Sequence, residues 1–376
     1  MRAFGKSGTI IFNDKALIGD DMDLYTSIVF VTIAFLAVVV WDTFTNRIVS
    51  DKIKRGNILV CCLVAVATIC EWAGVKTNGA DASLIFLHKL AKVAEFSIFP
   101  FIAVMAAFTY GKAKYPKIAI GALIAHAVFE LVAMHFGLVI SVDSENIYTR
   151  GSLYFIYVIF FSASIVYCFA SIISEEVSQH NRIDHVLLAA LMFVIIGIGV
   201  QMIFPDIRID YLCTAICSHF LYYHLNKMIL QMDGLTRLLN RRCFEKDVER
   251  LKAPAVIVSM DVNDFKTLND TYGHGAGDIC LKEIGGVIRE VFGRYGYCYR
   301  YGGDEFCVIL KRRLNDTELL CKEFEKAVEE SKSTVAHLSD VAVGYALFYK
   351  NDDVKDVLVK ADEMMYKVKN RMKNRE

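Results

Sequence analysis

Tyr299–Leu310 reads YRYGGDEFCVIL. Two strand-like pieces flank Gly302-Gly303, and the second opens on two adjacent acids, Asp304 and Glu305. Upstream, Ala255–Val262 reads AVIVSMDV, a β-branched apolar run with Asp261 at its far end. Apolar hairpins that finish in carboxylates at one edge can hold a hard cation against phosphates. Mg²⁺ takes oxygen ligands, keeps several waters and uses one or two protein carboxylates. Two such ions, about 3.5–4 Å apart, can activate an attacking hydroxyl and stabilise a leaving phosphate. Gly302-Gly303 would turn the chain tightly and leave no side chain between backbone and nucleotide. Acids at strand ends are also ordinary solvated turn residues, so this spacing alone leaves both readings open.

Three further stretches stand in order around these. Asp233–Arg242 reads DGLTRLLNRR, Asp261–Leu281 reads DVNDFKTLNDTYGHGAGDICL, and Ala361–Lys373 reads ADEMMYKVKNRMK. With Arg300–Phe306, RYGGDEF, they resemble the GGDEF domains, the diguanylate cyclases, over about residues 230–375. The resemblance implies an α/β (α+β) domain with a central sheet like that of polymerase palms and nucleotidyl cyclases, flanked by helices. It also implies condensation of two GTP into cyclic di-GMP with release of two pyrophosphates. Each subunit of a homodimer would hold one GTP, and each ribose 3′-hydroxyl would attack the partner's α-phosphorus.

Carried over position by position, Asp261 and Asp304 match the Mg²⁺ (or Mn²⁺) ligands, two ions per site, with the Val262 carbonyl completing the shell. Asp304 also matches the hydroxyl activator, and Glu305 the neighbouring catalytic acid. Asn269 and Asp278 match the pair that reads guanine, where a carboxylate can accept from N1–H and N2–H₂ together. Lys266, Lys369 and Lys373 fall where the family places phosphate-binding cations; His274, Arg300, Gly302 and Gly303 match supporting positions. There are departures. Asn263 replaces a frequent second Asp, and Met372-Lys373 replaces Gly-Arg, losing the guanidinium fork. The Arg and Asp of the family's product-inhibition site are Gly293 and Gly296 here, with Arg294 out of register, so no inhibition through that site is expected. A degenerate, non-catalytic module that binds GTP or a partner is the alternative; such copies lose the acids that Asp261, Asp304 and Glu305 retain.

Outward from this domain the solvent changes. The whole chain is 376 residues, 55% hydrophobic, with 42 basic and 42 acidic side chains. That is greasier than an ordinary soluble protein and excludes disorder; neutrality removes any compositional case for nucleic-acid binding. Residues 1–232 hold 17 basic and 17 acidic residues, about 15% charged, against 25 and 25 in residues 233–376, about 35%. A spanning helix needs about 20 apolar residues. Leu24–Trp41, Asn57–Val75, Leu90–Tyr110, Lys117–Ile140, Ser152–Ile173, His185–Phe204 and Ile207–Leu225 give seven expected spans. The expected division is therefore an external tail at 1–23, an all-α seven-helix transmembrane sensory domain at 24–225, a coupling helix at 221–235 and a cytoplasmic catalytic domain at 233–376.

Orientation follows from basic residues in short loops. Arg47, Lys52, Lys54, Arg55, Lys112, Lys114 and Arg182 lie in odd loops, against Lys76, Arg150 and Arg208 in even ones. This puts the amino terminus outside a bacterial inner membrane, in keeping with Asp20, Asp21 and Asp23 before the first span. The first apolar run ends in Trp41 with no cleavage pattern and does not resemble a cleaved signal. Leu221, Leu225, Met228, Met232 and Leu235 make a short heptad seam that suits dimerisation or packing on the chain's own domain. His126 and Glu130 share a helix face, with Glu71 and Glu95 in other spans; inter-helix bonding and an unidentified sensory ligand are both open. The eleven cysteines form no C-x-x-C pair, and Cys213 and Cys217 are read as packing residues.

Overall fold

The structure is a computed structural model that describes residues 19–178, 185–204 and 207–374. Arg182 and nearly all of the expected 1–23 tail lie outside the described residues. The chain divides into two compact units, Met1–Lys227 and Met228–Glu376.

The first unit is helical: α1 Gly19–Thr45, α2 Asp51–Thr77, α3 Ile85–Tyr110, α4 Pro116–Phe136, α5 Tyr154–Ser178, α6 His185–Ile203 and α7 Asp210–Gln231. A small antiparallel hairpin, β1 Ile140–Val142 and β2 Tyr148–Arg150, interrupts the expected all-α pattern between α4 and α5. Seven helices form where seven spans were expected. Among the described residues, however, only α1–α5 are long and apolar enough to cross a bilayer. The apolar stretch of α6 is His185–Gln201, and α7 is diluted by Asp210, His219, His224, Asn226 and Lys227. Helix α3 begins five residues before its expected start and runs unbroken through Pro100. It packs against α2, α4 and α5, whose side chains hold the helix where the proline removes one backbone donor.

Large apolar side chains on the outer faces are exposed, Phe30, Val38, Trp41 and Ile118 among them, an apolar surface wider than a water-facing bundle carries. Several polar groups inside are paired, within one helix or across two. Tyr25 donates to Glu71 (2.8 Å), Lys92 pairs with Glu95 (2.9 Å), and Asn57 bridges Thr43 and Tyr110. His126 and Glu130 are fully buried 3.7 Å apart, with no hydrogen-bond partner. Cys213 and Cys217 are buried and free.

The heptad seam is cut short. Helix α7 stops at Gln231 because Asp233 folds into its own turn: its carboxylate accepts from the Thr236 N–H and hydroxyl (both 2.8 Å), and its N–H donates to the Leu238 carbonyl. Met232 and Leu235 therefore lie beyond the helix, and the expected coupling helix at 221–235 is four residues too long.

The second unit is a five-stranded mixed sheet flanked by helices. Its elements are β3 Leu239–Asn240, α8 Arg241–Glu249, β4 Ala255–Val262, α9 Phe265–Tyr272, α10 His274–Phe292, β5 Gly296–Arg300, β6 Glu305–Leu310, α11 Thr317–Ser331, β7 Val341–Phe348 and α12 Val354–Lys373. The strand order is β3-β5-β6-β4-β7, with β3 parallel to β5 and the remaining pairs antiparallel. All eight residues of β4 are buried, because helices cover both faces. Val256, Val258, Met260 and Val262 face the cluster built by α10 and α11, including Ile284, Ile288, Phe292 and Phe324. Ala255 and Ile257 face Phe244 of α8 and Val357 and Ala361 of α12. Each fully buried Ile or Phe contributes about 1.5–3 kcal/mol, so this interior strand is a rigid base for whatever stands at its end.

Candidate active site

The parity of β4 decides where its acid goes. Side chains alternate along a strand, so Asp261 shares the α12 face with Ala255 and Ile257. There it meets Lys369 of α12 in an ion pair. On the neighbouring strand Glu305 stands directly opposite Asp261 in the register. Asp304 is joined to the same edge through its carbonyl, which accepts from the Val262 N–H (3.1 Å). Three carboxylates and one carbonyl-bearing strand end thus share one corner of the sheet.

The signature turn is built from below by Arg300. Its guanidinium donates to the carbonyls of Gly302 (3.2 Å) and Gly303 (2.7 Å), and pairs with Asp233 (3.1 Å). The Tyr301 and Gly302 N–H groups both donate to the Glu305 carbonyl, closing the turn. Arg300 is a positioning residue that ties the first turn of the domain to the turn presenting Asp304 and Glu305. A Cβ at Gly302 would lie 2.7 Å from Glu305 Oε2, so a side chain there would displace the Glu305 carboxylate. A Cβ at Gly303 would meet nothing within 4 Å, which leaves open space on that side of the turn beside the acids.

The expected nucleotide-reading residues sit on α9 and α10. Asn269 packs over Gly277, where a Cβ would collide with Asn269 Oδ1. That Oδ1 is buried without a partner, an acceptor waiting for a donor. Asp278 follows Gly277 and is exposed, so the two residues border one opening. Lys266 and His274 are exposed on α9 and at the start of α10; Lys373 is exposed in the last turn of α12, one turn beyond Lys369.

Electrostatics point to a cation. Partial burial raises the Glu305 carboxyl above the usual carboxylate range, and the charges of Asp261, Asp304 and Asp362 push it further, against Lys369. Among the described residues no group of three His, Cys, Asp or Glu side chains is arranged to hold a metal alone. A few hard oxygen donors do fit a magnesium-type ion, which completes its shell with water and phosphate.

Two features escaped the sequence. Asp233 carries no role in the motif reading, yet it anchors Arg300. Burial raises its carboxyl, but the Thr236 and Arg300 hydrogen bonds outweigh this and hold it below the usual range. Asn263 and Met372, read as separate departures, touch one another: Asn263 Nδ2 donates to Met372 Sδ at 3.1 Å. Gly293 caps α10 and Gly296 pairs with Leu310; a Cβ at either would strike the backbone carbonyl of Arg289 or Ile309.

With this geometry in hand, comparison with known proteins gives a consistent result. Residues 230–375 match the family described as "Diguanylate cyclase, GGDEF domain". Diguanylate cyclase DosC of Escherichia coli (strain K12) is 32% identical over 167 residues, covering 41% of this chain and 36% of that protein. Diguanylate cyclase DgcS of Shewanella oneidensis is 29% identical over 154 residues, covering 39% and 52%. The chain thus spans about a third to a half of the length of these curated relatives. Among solved structures, the GGDEF domain of DgcB from Caulobacter crescentus, in complex with c-di-GMP, is similar at 27% identity and a TM-score of 0.34, covering 37% of this chain and 90% of that one. Residues 230–375, following a helical region with five long apolar helices, are a GGDEF domain with diguanylate cyclase homologues.

Proposed function

We propose that the protein is a membrane-anchored diguanylate cyclase. The observation that carries this reading is the meeting of Asp261, Asp304 and Glu305 at one sheet corner beside the open Gly303. Two copies each hold one GTP, with the guanine edge on Asn269 and Asp278 and the phosphates against Lys266, Lys369 and Lys373. Asp304 takes the proton from a ribose 3′-hydroxyl. The hydroxyl oxygen forms a bond to the partner nucleotide's α-phosphorus, the bond from that phosphorus to the β-phosphate oxygen breaks, and pyrophosphate leaves. The same step in the other direction closes the ring. Asp261, Asp304 and the Val262 carbonyl would hold Mg²⁺ or Mn²⁺, two per site, for electrostatic stabilisation of the charge on the phosphates. Proximity of two oriented nucleotides does the rest.

The membrane unit is the input. Basic residues around the α1–α2 junction (Arg47, Lys52, Lys54, Arg55) support a cytoplasmic loop there, with the amino terminus outside a bacterial inner membrane. A signal at this unit alters how two catalytic domains face each other. Purified full-length protein with GTP and Mg²⁺ should release pyrophosphate. Tight GTP binding by a dimeric sample that releases none would favour a receptor module instead. Epitope tags at the two termini, probed in intact cells, should be accessible at the amino end only; the reverse labelling overturns the orientation.

A further inference from the structure

Asn263 lies just past the end of β4, two residues beyond Asp261, and both side chains contact α12. On α12, Lys369 and Met372 are three apart and therefore neighbours on one helix face, with Lys373 four beyond Lys369. The contacts run in step. Lys369 meets Asp261, and one rung further Met372 Sδ accepts from Asn263 Nδ2 at 3.1 Å. Asn263 is 8% exposed, its N–H donates to the Asp340 carbonyl (2.8 Å) at the start of β7, and its Oδ1 is buried without a partner. With its main chain tied to Asp340 and its side-chain amide donating to a thioether, this buried residue has little freedom.

We infer that Asn263 is a positioning residue: through Met372 it sets the register of the last turn of α12, and so places the Lys369 and Lys373 ammonium groups for the GTP phosphates. The inference rests on the cyclase reading for what the lysines hold. The clamp lets Lys373 serve at a position where its own side chain lacks the fork of an arginine: a fixed helix end compensates for a single-point cation. An ionised aspartate in place of Asn263 could not make this contact, since a carboxylate has no donor for sulfur.

The test is a double-mutant cycle in full-length protein. Asn263→Ala and Met372→Ala should each raise the KM for GTP about three- to tenfold, with kcat falling less than KM rises, and the double variant should be no worse than the worse single. Met372→Leu, which keeps volume but removes the sulfur, should behave as Met372→Ala. Additive losses, an unchanged KM, or a wild-type-like Met372→Leu would overturn the clamp. Binding of a non-hydrolysable GTP analogue is measured in parallel and should weaken by the same factor. It reads the clamp even if no cyclic product forms, so failure of the clamp and failure of the cyclase reading are distinguishable.

Discussion

Arg300 and Asp233 illustrate how much of this site is support for a few acids. Removing the guanidinium in Arg300→Ala leaves the Gly302 and Gly303 carbonyls and Asp233 short of their donor. Unfolding by urea should show a loss of about 1–3 kcal/mol, with cyclase activity falling further than stability. Asp233 also gives a pH signature. Its carboxyl is held low in the folded state, so its contribution to stability is complete above the ordinary unfolded value of about 3.9 and is lost as pH falls through the folded value. Asp233→Asn should flatten the acid limb of the urea midpoint between about pH 4 and 2; an unchanged limb would contradict the assignment. At the acids themselves, Glu305→Gln should cut product formation about a hundredfold or more while analogue binding survives. The strand ends and the Gly-Gly turn that bring these acids together were legible in sequence, while their roles rested on the motif resemblance. The roles of Asp233 and Asn263 were not legible, since each is defined by a partner 67 or 109 residues away.

Elements were read best where burial is strongest. The apolar run of β4 is a strand, and α1–α5 cover most of each of the first five expected spans, the end of the fourth leading instead into β1, because long apolar runs leave few other choices. Ends were read worst. Helix α7 terminates on a side-chain turn at Asp233 that competes with the heptad pattern, and α3 carries through Pro100 because neighbouring helices support it. The junction of α10 and β5 yields a prediction of its own. With Gly293 and Gly296 packed against backbone, micromolar cyclic di-GMP should leave the initial rate unchanged, and inhibition at that level would contradict it. Grafting Arg at Gly293 should destabilise the fold by about 1–3 kcal/mol instead of creating an inhibitory site.

At the scale of the molecule, a neutral composition divides into an apolar helical unit and a more highly charged unit built on a mixed sheet. The second unit has its own core on both faces of its sheet, so residues 228–376 should fold alone, with specific activity that rises with protein concentration because two copies must meet. Synthesis of a cyclic dinucleotide at the Asp261–Asp304–Glu305 corner is the proposed activity on which the other roles depend. Its most direct test is mass spectrometry of the products formed from GTP and Mg²⁺ by the full-length protein in nanodiscs, beside Asp304→Asn. The account predicts cyclic di-GMP and pyrophosphate in a ratio of about one to two from the wild type and none from the variant, as the stoichiometry of two displacements requires. A dimeric wild-type sample that binds GTP and returns it unchanged, or a variant that is equally productive, would contradict it.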